Sequence, residues 1–157
     1  MADDWLPAET STHQEHVIAH VLGATALGCF TADEAAHFIL DIGFVWTILL
    51  DGAMGLVPYT MALAELNVSD EERALLSADV GALYELGAEA VLARVEHAED
   101  AGPITAVEFY ARAAGRRLRL CCEGADIYVE TDFATGAIEI RRTPGGAHCA
   151  ETFEGGN

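Results

Sequence analysis

The 157-residue sequence contains no lysine, and its only strongly basic side chains are eight arginines set against 26 carboxylates. A formal net charge of −18 repels phosphate backbones, so neither DNA nor RNA is an expected partner. Cysteine is scarce too. Cys29, Cys121, Cys122 and Cys149 show neither CxxC spacing nor the density of a secreted scaffold, and reduced thiols in a cytoplasmic protein are expected. Asp41, Asp51 and Pro58 interrupt every apolar run before the ~18–20 residues that a membrane span needs. The opening MADDWLPAE is acidic, unlike a signal or transit peptide. GxGxxG, the P-loop, HExxH and GxSxG are all missing, so no motif fixes a reaction and the sequence leaves open whether the chain is an enzyme.

What is present is a hydrophobic content of 52%, enough for a compact core, in a chain whose length suits one domain. The apolar residues concentrate between His13 and Leu66. Thr12 and Glu15 have capping-box spacing, and a helix over about 13–28 would bury Val17, Ile18, Val21 and Leu22. Thr31 with Glu34 repeats the spacing before a second long apolar stretch. Read as a helix to Asp51, that stretch puts Asp33, Glu34, His37, Asp41, Thr47 and Asp51 on one stripe. A hairpin around Asp51-Gly52 is the alternative, but the helix accounts for more residues. Pro58 opens a short helix ending near Leu66, Ser69 and Glu72 cap another that stops at Gly87, and a fifth covers about 88–99.

Beyond Pro103 the period changes to two. Val107, Phe109, Leu118, Leu120, Ile127, Val129, Ile138 and Ile140 alternate with charged or polar neighbours, the pattern of an antiparallel meander. The chain therefore reads as one α+β domain over residues 1–157. It consists of about five helices (10–100), a meander of three to four strands (104–143) and a frayed tail (144–157).

Three groups of residues are candidates for chemistry or recognition. His13, His16 and His20 fall within roughly 60° of one helix face, and Glu34 with His37 forms an ExxH pair nearby; together they suggest a site for a divalent transition metal. Asp33 and Asp41 flank His37 at four-residue spacing and would raise its pKa. Phe44, Trp46 and Ile48 give the second stretch more apolar surface than one helix face needs, which suggests a self-association interface. Arg112, Arg116, Arg117, Arg119, Arg141 and Arg142 gather on the sheet, where Glu108, Glu130 and Glu139 stand ready as cross-strand partners. Residues 1–100 hold 18 of the 26 carboxylates and only two arginines, an asymmetry suited to a basic protein partner. The function expected is that of an acidic, homo-oligomeric interaction or regulatory module, and the alternative is a small metal-binding protein or metalloenzyme.

Overall fold

The computed structural model describes residues 5–143. The tail expected to fray, with His148 and Cys149, lies outside the described residues. The elements in order are β1 (Leu6–Pro7), α1 (Thr12–Val21), β2 (Ala26–Ala32), β3 (Ala35–Leu40), β4 (Phe44–Leu49), β5 (Met54–Pro58), α2 (Tyr59–Glu65), α3 (Asp70–Leu86), β6 (Glu96–His97), β7 (Ile104–Arg112), β8 (Gly115–Cys122), β9 (Asp126–Asp132) and β10 (Ala137–Arg142). Two short 3₁₀ turns, Gly87–Glu89 and Glu99–Ala101, flank β6.

The strands form two five-stranded antiparallel sheets: a front sheet in the order β1-β7-β8-β9-β10 and a back sheet in the order β5-β4-β3-β2-β6. This corrects the expected N-terminal bundle of five helices. Residues 26–58 are four strands joined by hairpins, and the described residues hold three α-helices. The fold is mostly β rather than α+β.

The reason lies in how the back sheet is buried. One face packs on the front sheet, where Phe38, Leu40, Trp46 and Ile48 meet Leu118, Leu120, Ile127 and Val129. The other face carries Phe30, Ile39 and Val45, covered by Leu63 and Leu66 around α2 and by Leu76, Val80 and Leu83 of α3. All six residues of β3 are buried. A strand buried on both faces loses the apolar–polar alternation that marks a strand and reads as one continuous apolar run. The apparent polar stripe consists largely of turns. Asp33 and Glu34 are the two residues of the β2–β3 hairpin, both with positive φ (54° and 58°) as a tight primed turn requires, and Asp51 lies in the β4–β5 loop.

Several local readings do match. Ser69 caps α3 through the Glu72 amide, and Gly87 ends it at φ 61°. The cap of the first helix lies one residue before the expected Thr12: Ser11 and Gln14 form the reciprocal box, and the helix starts at Thr12. That helix stops at Val21, and the expected helix over 88–99 is a 3₁₀ turn followed by β6. The meander has four long strands with the expected inward residues.

Among the described residues no helix is long and apolar enough to cross a membrane. Cys29 and Cys122 are free and buried, whereas Cys121 is disulfide-bonded, so the thiols are not all reduced as expected.

Candidate functional site

The two sheets end differently along the side where β2 and β10 lie. β10 is the outermost strand of the front sheet. The Thr143 amide donates to the Asp126 carbonyl, and bonding alternates along an antiparallel ladder. Glu139 and Arg141 therefore turn their backbone groups to β9, while Ile138 and Ile140 turn theirs outward. In the back sheet β6 is only two residues long and pairs with Gly28 and Cys29, so Thr31 lies beyond its cover. A groove of about 470 Å³ runs between these edges. Cys29, Phe30 and Thr31 form its floor, residues 138–141 one wall, and Glu72, Leu76, Arg94 and Glu96 the other.

The far wall is held by one carboxylate. Asp79, buried on α3, accepts from the amides of Ala93 (2.9 Å), Arg94 (2.6 Å) and Val95 (2.9 Å). Burial pushes its pKa up, but those amides and the Arg94 charge outweigh that push and hold it below the usual carboxylate range. The Arg94 guanidinium pairs with Glu72. On the near wall Arg141 donates to Glu130 at 2.6 Å. At the end of β10, Arg142 binds Asp100 and the His97 carbonyl, tying that strand to β6. Glu96 and Glu139 are both exposed and have no ion-pair partner among the described residues. The Cys29 thiol beneath them is buried, and its pKa is pushed up to about 12, first by burial and then by Glu96.

The residues singled out from the sequence are dispersed. His13 bonds to the Met54 carbonyl, and His20 to the backbone of His16, on α1. Glu34 sits in the β2–β3 turn, and His37 is buried in β3. Among the described residues no group of three or more histidine, cysteine or carboxylate side chains could hold a metal. Trp46 and Ile48 are fully buried within the subunit, and Phe44 is half-buried, so the apolar surplus that suggested self-association is used inside the fold. Of the six arginines, Arg117 and Arg141 pair with Glu130 and Arg119 with Glu108 as expected; Arg119 pairs also with Asp126, Arg142 goes to Asp100, and Arg116 donates to the carbonyls of Arg112 and Gly115. Tyr128 lies under three guanidiniums, and Trp5 between those of Arg112 and Arg117. Glu139 is the exception to the expected pairing.

His37 also reverses an expectation. Its Nε2 donates to the Ala32 carbonyl (3.0 Å), its Nδ1 accepts from the Thr47 hydroxyl (3.0 Å), and its ring stacks on Phe30. Burial lowers its pKa more than the Ala32 bond and Asp33 raise it. The unfolded chain thus binds this proton more readily than the folded one. The contribution is fully present above the unfolded value of about 6.5 and is lost progressively as pH falls below it. His97, bonded to Ala90 and Glu99, is shifted upward and acts in the opposite sense. Urea unfolding at about pH 7.5 and pH 5 is therefore expected to show a smaller acid loss in His37→Gln than in the wild type. Equal losses would remove His37 as a source of acid sensitivity.

The architecture around this groove is that of two packed five-stranded antiparallel sheets, with β10 as the outermost strand of the front one. Compared with protein-family models, curated proteins and solved structures, the chain matches none.

Proposed function

We propose that the protein is an interaction module that receives an extended polypeptide segment as an added strand along β10. The observation that carries this reading is the outward-turned backbone of Ile138 and Ile140 facing a walled groove. Open strand edges are templates for pairing, and proteins normally blunt or cover them. Here the edge is long and free of proline, and it is recessed between walls that would orient a guest strand. Main-chain hydrogen bonds would supply affinity, and the groove walls selectivity. The expectation of a partner protein is kept, with the oligomeric interface around Trp46 replaced by this edge. The expected cytoplasmic location is not carried into the reading, because disulfides such as that at Cys121 persist chiefly in oxidising compartments.

The amide of Ile140 points away from β9, so proline there removes a hydrogen-bond donor from the groove without breaking the ladder. In an array of defined hexapeptides, wild-type protein is expected to bind a subset, and Ile140→Pro to keep its circular dichroism while losing them. The reading fails if the wild type binds no hexapeptide at about millimolar concentration, or if the proline variant binds as well.

A further inference from the structure

We infer that the guest strand carries two consecutive basic residues, one held by Glu139 and the next by Glu96, an assignment that rests on the strand-addition reading above. Successive side chains of a strand point to opposite faces. Glu139 stands opposite Glu130 in the register and so lies on the solvent face of the front sheet. Glu96 stands opposite Cys29, whose side chain belongs to the core between the sheets, and so lies on the face of the back sheet turned toward the front one. A strand laid beside β10 offers one residue to the first carboxylate and its neighbour to the second.

The electrostatics of the groove select the sign. Its two cations are committed, Arg94 to Glu72 and Arg141 to Glu130, and its two remaining charges are the unpaired Glu96 and Glu139. An inward-pointing arginine or lysine can lay its apolar stem along Ile138 and Ile140 and present its charge to Glu96. The net charge of −18 favours encounter with basic segments. The chain's own residues 144–157 contain Glu151 and Glu154 and neither arginine nor lysine, so they lack the required charge. A second copy could offer Arg141-Arg142, but those side chains are engaged by Glu130 and Asp100 of their own subunit. A foreign basic segment is the occupant that fits.

Fluorescence anisotropy with three labelled hexapeptides tests this. TVRRVT places its arginines on opposite faces, TRVRVT places them on one face, and TVEEVT reverses the charge. TVRRVT is expected to bind about fivefold tighter than TRVRVT, with TVEEVT the weakest. Glu96→Gln and Glu139→Gln, both at exposed positions, should each cost about fivefold for TVRRVT and retain the fold. Raising the salt from about 0.05 to 0.5 M should erase the preference. If TVRRVT and TRVRVT bind alike and both variants are silent, the dibasic assignment is overturned while strand addition stands. If methylating the backbone amides of TVRRVT leaves its binding unchanged, strand addition falls as well. A dimer in light scattering that no peptide dissociates would overturn both in favour of a second copy.

Discussion

Replacing Arg119 by alanine is expected to cost about 3–5 kcal/mol of stability, a drop in Tm of roughly 10–15 °C. Arg119 projects from the middle of β8 toward the solvent face of the front sheet, yet its side chain is only 8% exposed. Its Nε and Nη2 both donate to Oδ2 of Asp126, at 3.0 and 2.7 Å, and Glu108 stands 3.4 Å from Nη1. Asp126 is 1% exposed. Removing the guanidinium strands a buried carboxylate, and that penalty exceeds the net worth of the pair. The double substitution Arg119→Met with Asp126→Leu removes both charges and is expected to recover most of the loss, since apolar side chains of similar volume replace buried ion pairs at little cost. Chemical denaturation of the two single variants and the double variant measures this. Additive losses would mean that the two residues act independently and that Asp126 needs no countercharge.

The same front sheet was the legible part of the sequence, and the reason is physical. Its strands have one face on the core and one in water, so Leu118, Leu120, Ile127 and Val129 alternate with Arg117, Arg119, Tyr128 and Glu130 and the period of two survives. The back sheet has no water-facing side over most of β3 and β4, and Ala35–Leu40 or Phe44–Leu49 carries no period to read. Its hairpin turns fall at 33–34, 41–43 and 50–53, and their acidic residues Glu34, Asp41 and Asp51 are spaced by about two and about three helical turns, so that they imitate a helical stripe. The Asp51-Gly52 turn signal and the β-branched and aromatic residues around it were the cues that favoured strands. The candidate site was less legible still. That β10 is an edge follows from the order of all five strands, and that Glu139 lacks a partner follows from β9 giving Glu130 to Arg117 and Arg141. Glu96 was hidden differently, inside a segment whose helical spacing outweighed two residues of strand.

Asp79→Ala is expected to be equally damaging, costing about 3–5 kcal/mol, and to disable the groove as well. The carboxylate is the shared acceptor for three successive amides that no strand or helix satisfies, and hydrogen bonds to a charged acceptor are among the stronger ones. Without it Ala93, Arg94 and Val95 lose their anchor. Val95 then leaves the core formed with Leu76, Val80 and Leu83, and the wall that carries Arg94 and Glu96 loosens. Asp79→Asn separates charge from shape. Its amide has one acceptor oxygen, and its NH₂ donors would confront backbone donors, so it is expected to recover only part of the loss. The pH dependence carries the sign. The folded pKa lies below the usual value, so the contribution is complete above the unfolded value of about 3.9 and disappears as pH falls through the folded one. Wild type should therefore lose stability below about pH 4 more steeply than Asp79→Ala, which has already lost that contribution. Amide exchange at residues 93–95 should accelerate in both variants while β8 and β9 stay protected. Unchanged exchange in that segment would show that its packing, not Asp79, holds the wall of the groove in place.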